Sequence, residues 1–263
     1  MDVQGHRGAR GLLPENTLPA FQRALELGVD TLELDCGVTK DGVVVVHHDR
    51  RLNPDVARGP DGKWVSSPGP TIRSLTYAEL QRYDVGRLRS GSEYQARFPQ
   101  QQAMDGTRIP RLEDVLKLKS KFNIETKLIP GAAEETVGPD EFARALIKEI
   151  RKAKAKATIQ SFDWRTLKIV EREAPEIPTV YLTESQDADP QKVKDAGGRI
   201  WSPSFKDLTQ RKVSIASSLG LKIVAWTVNE PADIAAAIDI GLDGIISDYP
   251  DRVLAELKRR GQR

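Results

Sequence analysis

Three histidines occur in the chain, His6, His47 and His48, and none follows position 48. Any imidazole chemistry must come from these three. Charged residues recur in pairs one residue apart: Glu33 and Asp35 flank Leu34, and Glu125 and Lys127 flank Thr126. On a strand, such neighbours share one face, while Leu32, Leu34 and Cys36 take the other. Carboxylates set among buried apolar neighbours require a partner. Three converging acids repel one another unless a cation lies between them. Oxygen ligands favour a hard divalent ion, Mg2+ or Ca2+, over zinc. Glu33, Asp35 and Glu125 with such an ion, plus Arg7 and Lys127, leave one net positive charge when the histidines are neutral, which suits a bound phosphodiester. Two histidines beside that phosphate could move its protons, since imidazole titrates near neutrality. Alternation turns His47 to the face opposite His48, so His47 is read as structural and His6 and His48 as the reactive pair.

These side chains need elements that aim them at one place. Short apolar strands alternate with amphipathic helices: strands are predicted at 3–6, 29–36 and 43–48, the last two joined by a turn at Lys40-Asp41-Gly42, with a helix at 17–27 between the first two. The pattern lapses over 53–108, which is rich in Gly, Pro, Ser and Arg and helical only at 77–83, and reads as an insertion on the functional side. Alternation then resumes, with strands predicted at 123–127, 158–162, 179–182, 199–202, 222–228 and 244–247. If 43–48 is counted with its predecessor, about eight strand–helix units occupy 263 residues. That predicts one domain, 1–263, an α/β chain folded as a (β/α)8 TIM barrel. His6, Arg7, Glu33, Asp35, His48, Glu125 and Lys127 then fall at the carboxyl ends of strands, where such barrels carry their chemistry. Two joints, 151–157 and 116–122, lack a residue that stops a helix, which a shortened linker would explain.

Composition removes several classes of function. Hydrophobic residues make up 39% and charged residues 30% of the chain, with mean hydropathy −0.45, a globular composition. No apolar run reaches the length of a membrane helix. Forty Lys and Arg against 38 Asp and Glu leave a net charge of +2, too balanced for a nucleic-acid binder. The lone Cys36 allows neither an internal disulfide nor a cysteine zinc cluster. With no signal sequence at its start, the chain is expected in the cytoplasm, or in the periplasm after loss of a leader.

An ordered set of short motifs runs nearly the whole chain: Gly5-His6-Arg7-Gly8, Pro14-Glu15-Asn16-Thr17, Glu33-Leu34-Asp35, His48-Asp49, Glu125-Thr126-Lys127, Gln160-Ser161-Phe162, Trp226-Thr227-Val228-Asn229 and Asp243-Gly244-Ile245-Ile246-Ser247-Asp248. The set resembles the glycerophosphodiester phosphodiesterase family. The resemblance implies hydrolysis of glycerophosphodiesters to sn-glycerol 3-phosphate and an alcohol. By position it makes His6 and His48 the acid–base pair, Glu33, Asp35 and Glu125 the ligands of one Mg2+ or Ca2+, and Arg7 and Lys127 the phosphate contacts. Some members of the wider superfamily pass through a cyclic phosphate. Trp226 is read as a wall of the mouth, with a core position as its alternative, and Phe162 shares that ambiguity. Asp49 either orients a histidine or caps a strand, and Asn16 and Thr17 form a turn and helix cap. Competing readings are a phospholipase D-type or lysophospholipid-specific enzyme, and a non-catalytic barrel that binds a phospho-ligand.

Overall fold

The alternation of strands and helices resolves into a closed barrel in the computed structural model, which describes residues 1–263 except 129, 130, 132 and 133. The strands are β1 (Asp2–Gly5), β2 (Thr31–Val38), β3 (Val44–Val46), β4 (Lys121–Thr126), β5 (Lys156–Ser161), β6 (Thr179–Thr183), β7 (Ile200–Pro203), β8 (Lys222–Ala225) and β9 (Gly244–Ser247). All but β3 are parallel neighbours in the order β1-β9-β8-β7-β6-β5-β4-β2, and pairing of β1 with β2 closes the ring. The strand β3 folds back antiparallel on the end of β2. That hairpin is why the predicted strand at 43–48 adds no ninth barrel stave.

Around the ring stand α1 (Leu18–Leu27) and, beyond the hairpin, the short α2 (Tyr77–Leu80) and α3 (Glu93–Ala96). Then come α4 (Leu112–Leu116), α5 (Pro139–Ala153), α6 (Trp164–Glu173), α7 (Pro190–Asp195), α8 (Gln210–Ser218), α9 (Pro231–Asp239) and α10 (Pro250–Arg259). Their apolar stripes and the outward faces of the strands share one core, in which Phe21, Leu32, Leu34, Phe142 and Trp201 are fully buried. A second, smaller cluster of Val45, Leu52, Val56, Ile72, Leu80, Leu88, Phe98 and Ile109 holds the long segment between β3 and α4 together. The helix predicted at 77–83 is limited to α2, closed at its start by a reciprocal Thr76–Glu79 capping box. The sequence reading missed α3, a single turn that Ser92 caps.

The two joints without a stop signal end their helices with lysines in the left-handed region, Lys119 at φ 54° and Lys154 at φ 49°. Lys154 and Ala155 close α5 by donating to the carbonyls of Arg151 and Ile150. A non-glycine residue there costs about 1–2 kcal/mol, which the packed helix absorbs.

Inside the ring the filling is polar. Gln160 Nε2 donates to Glu33, Asn123 Nδ2 donates to the carbonyl oxygens of both Gln160 and Gln4, and Gln4 Nε2 donates to Asp2. This string of amides runs from the base of the barrel to the carboxylates at its mouth. No helix among the described residues is long and apolar enough to cross a membrane.

Candidate active site

The mouth is a cavity of about 1200 Å³ lined by His6, Arg7, Glu33, Asp35, His48, Glu125, Lys127, Phe162 and Trp226, among others. A second cavity of about 790 Å³ opens at the opposite end of the barrel and holds no histidine.

Strand register brings the acids together. Asp35 lies directly beside Glu125 across the β2–β4 ladder, and Glu33 lies one inward-facing position deeper on β2. Oxygens of Glu33, Asp35 and Glu125 all approach within 4.8 Å of one another, and all three residues are buried. Burial, with Asp35 and Glu125 close by, raises the Glu33 carboxyl well above its ordinary range. Burial likewise lifts Glu125 to about 7, against the pull of Lys127. Burial also acts to raise Asp35, but His48, Lys127 and Arg7 outweigh it and hold Asp35 well below the usual carboxylate range. Asp35 Oδ1 is buried without a hydrogen-bond donor. An unpartnered oxygen in a close set of carboxylates fits a divalent cation.

Each of the two candidate histidines leans on its own aspartate. His6 follows β1, and its Nδ1 lies 2.6 Å from Asp248 Oδ1 while its Nε2 lies 3.8 Å from Glu33. His48 follows β3, and its Nδ1 lies 2.6 Å from Asp49 Oδ1. Burial works to raise both aspartates, yet their cationic and histidine neighbours hold them below the usual range, so each is an ionised acceptor. An acceptor-only carboxylate at Nδ1 fixes the proton there and leaves Nε2 unprotonated on a neutral ring. Burial lowers His6 to about 4 and lowers His48 too. His47 is buried with its Nε2 unpartnered and does not line the mouth.

The loop after β1 supplies the cations and fastens the acids. Gly5 is required because a Cβ there would meet the Gly8 carbonyl oxygen at 2.1 Å, and Gly8 itself has φ 89° against α1. Arg7, at φ 51°, donates its backbone N–H to Glu33 Oε2 at 3.0 Å. Its guanidinium lies 2.8 Å from Glu15 and 3.3 Å from Asp35. Asn16 does more than turn the chain: its amide donates to Asp35 Oδ2 at 2.9 Å, while Thr17 caps α1. The Lys127 ammonium sits 2.7 Å from Glu125 and 3.6 Å from Asp35, across the acids from Arg7. The far wall is aromatic: Phe162 meets Trp226 edge-on at 5.5 Å, and the Trp226 indole N–H is turned away to the Ser202 carbonyl.

Sequence reasoning did not assign site roles to Arg10, Glu15, Tyr94 and Gln160, which contact the reactive set. Glu15 and Gln160 stand inside the quoted motifs, so a signal for them existed. Tyr94 had none, because it comes from the segment without pattern.

A family model for the glycerophosphoryl diester phosphodiesterases matches residues 6–252. The chain belongs to this family. A glycerophosphodiester phosphodiesterase of Bacillus subtilis is 32% identical over 261 residues, covering 94% of this chain and 83% of its own. A crystal structure from Silicibacter pomeroyi, assigned to the glycerophosphoryl diester phosphodiesterases, matches with a TM-score of 0.92 at 36% identity, over 99% of this chain and 94% of that one. An Oleispira antarctica phosphodiesterase, solved with the product sn-glycerol-3-phosphate, shares the fold at a TM-score of 0.78 and 23% identity, over 98% and 97% of the two chains. As a glycerophosphodiester phosphodiesterase, the chain is a phosphoric diester hydrolase.

Proposed function

We propose that the enzyme hydrolyses glycerophosphodiesters to sn-glycerol 3-phosphate and an alcohol, with His6 and His48 moving the protons. The observation that carries this reading is the pair of aspartate-held histidines opening onto one buried carboxylate set. The substrate diester lies between Arg7 and Lys127, whose charges complement it, and Trp226 flanks one of its ester arms. Glu33, Asp35 and Glu125 hold one divalent ion, Mg2+ or Ca2+, which supplies withdrawal of charge from the phosphoryl group. His6, neutral and with Nε2 unprotonated, takes the proton of the attacking oxygen. His48, at the more open side of the mouth, enters the step as the imidazolium, with the Asp49 carboxylate balancing its charge, and gives its Nε2 proton to the departing alcohol oxygen. Asp248 holds the proton of His6 on Nδ1 so that Nε2 can accept, and Asp49 stabilises the doubly protonated ring of His48. The single domain 1–263 carries segment 53–108 as a cap over the mouth, and the product named for the Oleispira enzyme matches the reaction proposed.

The test measures glycerol 3-phosphate released from glycerophosphocholine, after EDTA and after return of Mg2+, Ca2+ or Mn2+. Turnover should return with metal and fall by at least about 10³-fold in His48→Ala and Glu33→Ala. An aryl diester, whose leaving group needs no proton, should recover much of the loss in His48→Ala and none in His6→Ala. Lack of turnover by folded protein with every metal, or a loss in His48→Ala that the aryl ester does not relieve, refutes the respective part. Lysophosphatidylcholine in parallel separates this substrate class from a lysophospholipid-specific one.

A further inference from the structure

The segment between β3 and α4 reaches into the mouth at one hydroxyl. Tyr94, on α3, donates its phenol hydrogen to Glu15 Oε2 in a short hydrogen bond. The same phenol oxygen faces Nη1 of Arg7 at 3.4 Å and Nη1 of Arg10 at 3.3 Å. Glu15 Oε1 in turn accepts from Arg7 at 2.8 Å. Arg10 grips both oxygens of Asp248, at 2.8 and 3.0 Å, and Asp248 holds His6. Both arginines are almost fully buried, so their like charges require fixed acceptors between them.

We propose that Tyr94 is a positioning residue for the reaction: its hydroxyl sets the Arg7 guanidinium for phosphate and, through Arg10 and Asp248, the ring of His6. The reading rests on Arg7 as a phosphate contact. Docking of the segment does not depend on that hydroxyl. Phe98 lies under the Arg10 guanidinium at 4.6 Å, Gln101 donates to the Arg10 carbonyl, and the Gln102 N–H donates to the Leu12 carbonyl. The ring of Tyr94 also packs on Phe98 at 5.4 Å. Removing the oxygen therefore leaves the packing and takes away only the shared hydrogen-bond centre.

The experiment compares Tyr94→Phe with the parent for affinity toward inorganic phosphate by calorimetry, for KM and kcat on glycerophosphocholine, and for melting temperature. Phosphate affinity should weaken and KM should rise, each about tenfold, while the protein stays folded and its melting temperature falls by only a few degrees. Unaltered phosphate affinity in a folded Tyr94→Phe overturns the proposal. Gln101→Ala keeps the hydroxyl and removes a docking hydrogen bond at the Arg10 carbonyl. If it reproduces the loss, docking of the segment and not the phenol is responsible, and the proposal falls. A parent that binds phosphate yet cleaves no glycerophosphodiester refutes the reaction proposed above, while the phosphate comparison still decides the role of Tyr94.

Discussion

Asp248 and Asp49 do the same job for His6 and His48 in different surroundings. The Asp248 side chain is 2% exposed and shared with Arg10, whereas that of Asp49 is 37% exposed and also accepts from Asn53. Water can replace the hydrogen bond of an exposed carboxylate, and it has no access to a buried one. Asp248→Asn should therefore lower kcat by about 10³-fold or more, through the wrong tautomer of His6 and a poorly paired Arg10. Asp49→Asn should cost on the order of tenfold. Steady-state rates on one substrate check this, and equal losses would show that burial does not rank the two. Glu33, held by the Arg7 backbone N–H and by Gln160, and Asp35, held by Asn16, show the same division between the candidate ligands and the groups that hold them.

Register and turns translate those residues into geometry at the scale of the element. The pairing of Asp35 with Glu125 follows from one register between β2 and β4, and a slip of β4 by one residue would turn Glu125 to the helix side, away from Asp35. The β2–β3 hairpin carries His48 back to the mouth, with the His47 N–H bonded to the Asp35 carbonyl. Where the sequence lacks glycine, the elements stop at some cost. Lys154 is exposed and left-handed at the end of α5, so Lys154→Gly should stabilise the protein by about 0.5–1 kcal/mol, and Lys119→Gly similarly. That corresponds to a rise of roughly 1–4 °C in melting temperature, read by calorimetry at fixed pH. A fall in both variants would mean the lysine side chains stabilise these joints in ways their exposure does not suggest.

For the whole molecule, the buried carboxylates link stability to pH and to cations. Glu125, raised from its ordinary 4.5 to about 7, and Glu33, raised well above 4.5, are easier to protonate in the folded chain than in the unfolded one. Their contribution to stability is present in full below pH 4.5 and is lost as pH rises through the folded-state values, about 7 for Glu125. Asp35, Asp49 and Asp248, all depressed from 3.8, act with the opposite sign: their contribution is present above that value and is lost as pH falls below it. Buried His6, His47 and His48, all lowered from 6.5, oppose the glutamates below that value, so with EDTA the melting temperature should fall between about pH 6.5 and 8, and added divalent cation should restore it most at the higher pH. A flat melting temperature with EDTA, or an equal gain at both pH values, would contradict this. Glu125→Gln should shrink both the slope and the gain.

The barrel was legible in the residues because strand and helix periods are local: Leu32, Leu34 and Cys36 on one face assign Glu33 and Asp35 to the other, whatever the rest of the chain does. The same local rule separated His48 from His47. Recurrence of strand and helix across the chain left few topologies besides a closed parallel ring. What alternation cannot specify is which distant groups meet once the ring closes. Asp248 reaches His6 from 242 positions away, Tyr94 reaches Glu15 from 79, and Gln160 reaches Glu33 from 127. Such pairs have no short-range signature, since they depend on strand register, on closure of β1 against β9, and on how a segment without periodicity settles on its own small core. The sequence by itself determined which side chains face the mouth; the tertiary structure alone decided which of their neighbours hold them there.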